Sequence, residues 1–110
     1  PEAKLTPTQA RRIYMGEKLF IKDVRLKPMA PKDDALKAAF FARLMNMSSD
    51  KFKIHWLAKL FRDGLEPPES APPAQMLREL RKDTGRLGFI WLEDARAEPG
   101  LRILLVVEAP

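Results

Sequence analysis

The side chains best suited to chemistry are few and scattered. His55 is the only histidine and cysteine is absent, which excludes thiol nucleophiles, cysteine zinc sites and iron–sulfur clusters. The acidic pairs Asp33–Asp34 and Glu93–Asp94 are adjacent in sequence and lack a partner that would make them general acid and base. No phosphate-binding loop, nucleophile elbow or metal-hydrolase motif is present. We therefore expect a protein that is not an enzyme and that needs no cofactor.

The aromatic side chains could serve binding instead of catalysis. Trp56, Phe61 and Trp91 could stack on a sugar or a base, but their spacing within regular elements favours packing in the core. His55 precedes Trp56 on a predicted helix, and we expect it to be a partly buried structural residue.

The chain is basic, with 20 Lys and Arg against 15 Asp and Glu and a net charge of +5, which favours anionic partners. The densest basic stretch, Arg78–Arg86, is interrupted by Glu79 and Asp83, as is typical of a solvated face. An alternative is a basic interaction domain whose nucleic-acid affinity falls with salt. Its candidate contacts are Arg78, Arg81, Lys82 and Arg86.

The length predicts one domain over residues 1–110. The longest apolar run, Ile103–Val107, is far shorter than the ~20 residues of a transmembrane helix, so we expect no membrane span. The chain starts at Pro1 without an initiator Met or a signal peptide, which suggests a processed or trimmed product.

Two elements are predicted in the first third of the chain. A helix from Pro7 to Met15 follows from a capping box between Thr6 and Gln9. Alternating apolar and charged residues over Val24–Met29 predict a short strand that enters a loop at Pro28.

Two longer helices should follow. Asp33 or Asp34 can cap the first, which breaks at residues 46–48. The next begins at residues 48–49 and stops at Gly64. Its predicted apolar stripe comprises Phe52, Trp56, Leu57, Leu60 and Phe61.

The last part of the chain begins with a proline-rich connector, Glu66–Pro73. A fourth helix lies within Ser70–Thr84 and ends at Gly85. Nearly continuous apolar character predicts strands over Leu87–Leu92 and Leu101–Val107.

Together these elements predict an α/β fold with about four helices packed on a small mixed sheet. Three strands make a thin sheet, which a strand upstream of Pro1 or one from another molecule would complete. An open apolar edge at Ile103–Val107 could instead pair with itself and give a homodimer.

The order of motifs resembles the phosphate-type periplasmic substrate-binding proteins, specifically the short, single-lobe members. Leu5–Lys18 resembles the opening segment of a lobe in this family, in which a Leu is followed by a Ser or Thr and then by a Gln, and which ends with a Gly and a Lys. Asp34–Phe41 resembles the S-x-x-R-x-x-F helix, and Ile54–Gly64 resembles the W-x-x-x-x-F-x-G segment. Arg86–Ile90 stands where the family has G-x-I-G-Y, and Leu101–Val107 matches a closing strand.

This resemblance implies one lobe of a type II periplasmic binding protein, exported to the periplasm with its signal peptide removed. It also implies a binding module for phosphate or another small anion, accessory to an ABC transporter or a signalling system.

The implied anion site lies at the start of the second predicted helix. In this fold, N–H groups at a helix N-terminus, a hydroxyl and an arginine hold the ligand. The family's Ser corresponds to Asp34 and its Arg to Lys37, and an ionised carboxylate at that cap would repel phosphate. The candidate ligand-binding residues are therefore Lys18, Lys32, Asp34 and Lys37.

Overall fold

Five α-helices, a π-helical turn and two small sheets make up residues 4–107, the part of the chain that the computed structural model describes. The helices are α1 (Pro7–Tyr14), α2 (Asp34–Ala39), α3 (Ser49–Asp63), α4 (Pro73–Lys82) and α5 (Leu92–Arg96), and α2 continues into the π-helical turn Phe40–Met45. The strands are β1 (Phe20–Ile21), β2 (Val24–Arg25), β3 (Lys27–Pro31), β4 (Glu69–Ala71) and β5 (Arg86–Leu87). The predicted α/β class is confirmed.

Helix α1 forms as the sequence predicts. The Thr6 hydroxyl accepts a hydrogen bond from the Gln9 backbone N–H, and the Gln9 side chain accepts one from the Thr6 N–H, which completes the capping box. The helix ends before Gly16, whose φ of +75° suits the left-handed conformation that glycine tolerates. A Cβ at Gly16 would lie 2.6 Å from the Trp56 ring, so glycine also allows the ring to approach.

The strand predicted over Val24–Met29 is divided in two. Val24–Arg25 pairs with β1 in an antiparallel hairpin, and β3 continues through Pro28 to Pro31. The prediction that Pro28 starts a loop is therefore wrong.

The prolines are tolerated because their missing N–H groups fall where β3 has no neighbour. The Lys27 N–H donates towards β5 and the Lys32 N–H towards β4, and successive N–H groups alternate between the two sides. Pro28 therefore faces the β4 side, where pairing starts only at Met29, and Pro31 faces the β5 side, where pairing has ended.

Strand β3 is central, in the order β4-β3-β5, and both pairings are parallel. The chain reaches β4 through α2 and α3, and then crosses back to β5 through α4. The connection from β3 to β4 and the connection from β4 to β5 run in opposite directions across the sheet. Because parallel crossovers are right-handed, these opposite directions place α3 and α4 on opposite faces of the sheet. Met29 and Ala71 pack with Met76 of α4 on one face, so their neighbours Ala30 and Ser70 belong to the other.

The larger core lies where α1, the π-helical turn and α3 meet. Phe40 is completely buried and makes edge-to-face contacts with four other aromatic rings. The buried members of this cluster are Ala10, Tyr14, Phe40, Leu44, Met45, Phe52 and Trp56.

The predicted apolar stripe of α3 is only partly buried. Phe52 and Trp56 face the core, but Leu57 and Leu60 are 57% and 39% exposed and Phe61 is 82% exposed. Core packing of Phe61 is therefore a wrong prediction, because its position on the helix turns it away from the Trp56 side. Ser48 caps the helix and Gly64 ends it, as predicted.

The proline-rich connector contains a strand that the sequence analysis did not assign. Glu69–Ala71 pairs with β3 at the edge of the sheet, where strands tolerate flanking prolines. Helix α4 ends at Lys82, with Asp83 as its C-cap residue, and not at Gly85. Glycine is needed at position 85 because a Cβ would lie 2.2 Å from the Arg25 carbonyl oxygen.

Both C-terminal strand predictions are largely wrong. Only Arg86–Leu87 forms a strand, because the chain then turns onto α4 and the Phe89 N–H donates to the Met76 sulfur. Leu92 already belongs to α5, and Leu101–Val107 forms no ladder, although the Leu104 carbonyl accepts a bond from Leu5. The described sheet edges are therefore β4 and β5, and not Ile103–Val107 as expected.

Candidate functional site

Helix α3 borders a cleft of about 320 Å³ on one face of the three-stranded sheet. We call it the α3 cleft. Its lining residues are Ala30, Pro31, Lys37, Phe41, Ser49, Phe52, Lys53, Trp56, Leu57, Leu60, Pro67, Pro68 and Ser70.

The cleft reaches the carboxyl end of β3 at Pro31 and adjoins β4 at Ser70. The connections that leave these two neighbouring strands run to opposite faces of the sheet. In open α/β sheets, ligands bind at such a switch point, outside the carboxyl ends of the strands. The topology therefore marks the α3 cleft as the candidate site.

Four polar side chains interrupt an otherwise apolar lining. Lys37 comes from the last turn of α2, Ser49 and Lys53 lie one turn apart at the start of α3, and Ser70 comes from β4. Within residues 4–107, neither Lys37 nor Lys53 forms an ion pair. Two free ammonium groups and two hydroxyls suit an anion that also contacts apolar side chains.

A second cavity of about 560 Å³ lies at the amino ends of the parallel strands. We call it the strand-end cavity. It is lined by four cations, Lys18, Arg25, Lys27 and Arg86, and by the carboxylates of Glu66 and Glu69.

Three of these six charges, Lys27, Arg86 and Glu69, are engaged in ion pairs within the protein. The Lys27 ammonium and the Gly85 N–H donate to Asp83 and hold the pKa of its carboxyl below the usual value. Arg86 donates to Glu69 at 2.8 Å, which raises the pKa of the guanidinium. The other two cations, Lys18 and Arg25, form no ion pair among residues 4–107, but the carboxylates of Glu66 and Glu69 line the same cavity and repel an anion, which makes it a poorer anion site.

The structure separates the four residues that the sequence analysis proposed for one site. Lys37 lines the α3 cleft, Lys18 lines the strand-end cavity, and Lys32 and Asp34 are exposed and line neither. The cap of α2 is Asp33, whose carboxylate accepts a bond from the Leu36 N–H at 3.1 Å. Asp34 therefore does not occupy the cap position at which it was expected to repel an anion.

Three residues of the cleft escaped the sequence analysis: Ser49, Lys53 and Ser70. The spacing of Ser49 and Lys53 places both on one side of a helix, which was a usable signal. Ser70 carried none, because the proline-rich segment around it was interpreted as a connector.

The other candidates have structural roles. The His55 ring is half-buried, as expected, and its Nε2 donates to the Met15 carbonyl at 2.8 Å. The Trp56 indole donates to the Tyr14 carbonyl at 3.0 Å, so α3 satisfies two carbonyls at the end of α1. Burial raises the pKa of the Tyr14 hydroxyl, which donates to the Met29 carbonyl at 2.8 Å.

The basic stretch that motivated the nucleic-acid alternative is largely neutralised. Arg81 pairs with Glu98, Lys82 with Glu79, and Arg86 with both Glu69 and Glu79. These pairs support the interpretation of a solvated, mixed-charge face.

Comparisons with known proteins found no relative of this chain. No family model, curated protein or solved structure matches the chain. Across residues 4–107, no group of three or more His, Cys, Asp or Glu side chains is arranged to hold a metal ion. In the same range, no helix combines the length and apolar character needed to cross a membrane.

Proposed function

We propose that the protein is a non-catalytic binding module that holds a small anion, such as phosphate, in the α3 cleft. The observation that carries this proposal is the position of Lys37 and Lys53, which form no ion pair within residues 4–107 and line a cleft at the switch point of the sheet.

The binding geometry follows from the elements around the cleft. Lys37 and Lys53 supply positive charge from two different helices, and Ser49 and Ser70 supply hydroxyl donors from α3 and β4. The apolar side chains beside them, such as Phe41 and Leu57, lower the local polarity and strengthen each charge-assisted hydrogen bond. The cleft is open to solvent, so we expect exchange of the anion to be fast and its affinity to be modest.

We further propose that the domain is one lobe of a type II periplasmic binding protein, located in the periplasm and accessory to an ABC transporter or a signalling system. The ordered motifs from Leu5 to Val107 support this. The parallel order β4-β3-β5, with helices on both faces, is compatible with such a lobe. Fractionation of cells that express the natural precursor tests the compartment, and recovery in the cytoplasm would contradict it.

Calorimetric titration with inorganic phosphate tests the binding site. Replacing both cleft lysines (Lys37→Gln and Lys53→Gln) should raise the dissociation constant at least tenfold, because each charge-assisted hydrogen bond contributes about 1.5–3 kcal/mol. Both residues are exposed and neither has an ion-pair partner in the described part of the chain, so the midpoint of urea unfolding should not change.

Lys32→Gln is the matched control, because Lys32 is exposed near the start of α2 but lines neither cavity. It should bind phosphate as the parent protein does. A loss of affinity in Lys32→Gln with none in the double variant would move the anion to the cap of α2. No measurable binding in the parent would refute the proposed anion function.

A further inference from the structure

Helix α3 carries a second apolar face that nothing within residues 4–107 covers. Ile54, Leu57 and Phe61 are 68%, 57% and 82% exposed, and their spacing of three and four residues places them along one side of the helix. Phe52 and Trp56 lie on the opposite side, in the core. We call the exposed set the outer ridge of α3.

Such a ridge is costly unless something covers it, because each side chain leaves a large apolar surface in water. Ala58 lies between the three larger residues on the same side. The outer ridge is thus a continuous apolar strip.

The charges beside the ridge indicate what covers it. Lys53 flanks the strip on one side, and Lys51 and Arg62 flank it on the other. Asp50 lies at its N-terminal end, and Asp63 is engaged with Lys59 and Arg62. The rim of the outer ridge is therefore predominantly positive.

We propose that the outer ridge docks the protein on an anionic lipid surface. A helix that lies in a membrane interface buries a strip of Leu, Ile and Phe while Lys and Arg beside it contact anionic headgroups. The outer ridge of α3 has both features, and the net charge of +5 adds a long-range attraction.

A second copy of the chain fits the ridge less well. Self-association through this face would bring Lys51, Lys53 and Arg62 of both copies together, and like charges at close range oppose such pairing. A flat anionic surface creates no such conflict.

Co-sedimentation with lipid vesicles tests the proposal, using phosphatidylcholine alone and phosphatidylcholine mixed with phosphatidylglycerol. The protein should bind only the anionic vesicles, and binding should weaken as salt is raised. Substituting serine for Ile54 and Phe61 should reduce vesicle binding at least about tenfold, since apolar burial supplies much of the affinity.

The variant and its control are chosen to separate this proposal from phosphate binding. Ile54 and Phe61 line neither cavity, so their double variant should keep its phosphate affinity. The matched control replaces Phe20 and Val24, two exposed apolar residues of the β1–β2 hairpin, with serine, and it should bind vesicles as the parent does.

Three results would overturn the proposal. They are equal binding to neutral and anionic vesicles or to neither, unchanged binding after loss of Ile54 and Phe61, and a dimer in sedimentation equilibrium that this variant abolishes. Circular dichroism of each variant confirms that the fold is retained.

Discussion

The α3 cleft and the strand-end cavity share the wall formed by Trp56 and Leu60, yet their charges have different environments. In the cleft, Lys37 and Lys53 form no ion pairs among the described residues. In the strand-end cavity, Lys27 and Arg86 are held by carboxylates. Charges that already have partners are less available to a ligand than charges without partners.

The largest loss of stability is expected when the wall shared by the two cavities is disrupted. Trp56→Ala removes a buried ring and its hydrogen bond to the Tyr14 carbonyl, and it should cost about 3–5 kcal/mol in urea unfolding. Phe61→Ala on the outer ridge should change stability by no more than about 0.5 kcal/mol. Equal losses in the two variants would mean that α3 does not have one structural and one exposed face.

The next largest loss of stability is expected from a substitution in the strand-end cavity. Arg86→Met leaves Glu69 and Glu79 without their cation and should cost up to about 1 kcal/mol of unfolding free energy, because ion pairs that reach solvent contribute little. Its phosphate affinity should equal that of the parent, because Arg86 lies outside the α3 cleft. A weakened phosphate affinity in Arg86→Met would show that the two cavities do not divide stability and binding in this way.

A smaller and pH-dependent effect should arise at Asp83. Its pKa is lowered in the folded protein, chiefly by the hydrogen bond from Lys27, so its ionised form stabilises the fold above the unfolded pKa of about 3.9. That stabilisation is lost as the pH falls through the folded pKa. Asp83→Asn should therefore be less stable than the parent at pH 7, and thermal unfolding should show the two converging as the pH falls through the lowered pKa of Asp83. A constant difference across that range would argue against an ionic role.

Local signals in the sequence were sufficient for α1 and α3, but they did not predict α5, whose first residue Leu92 was assigned to a strand. Three of these signals depend only on neighbours within four residues. They are the capping box of Thr6 and Gln9, the serine cap of α3 and the left-handed conformation of Gly64. Leu101–Val107 was taken for a strand because apolar character alone does not show whether a pairing partner exists.

The candidate site was predictable only in part, because local sequence patterns do not show which distant segments come together in the fold. Lys37 was named only because it stands where the family that the sequence resembles has an arginine. Lys53 and Ser70 join it only because α3 packs over the face of the sheet that carries Ser70, and that arrangement follows from the direction of two crossovers. Similarly, the exposed side of α3 was interpreted as core, since two apolar faces of one helix resemble a single broad stripe.

Mapping amide resonances during a phosphate titration of the parent protein tests the central claim most directly. Phosphate in the α3 cleft should shift the resonances of Lys37, Ser49, Lys53 and Ser70 in a concentration-dependent way, and it should leave those of Lys18, Arg25 and Lys27 unchanged. Shifts confined to the residues of the strand-end cavity, or no shifts at millimolar phosphate, would contradict it.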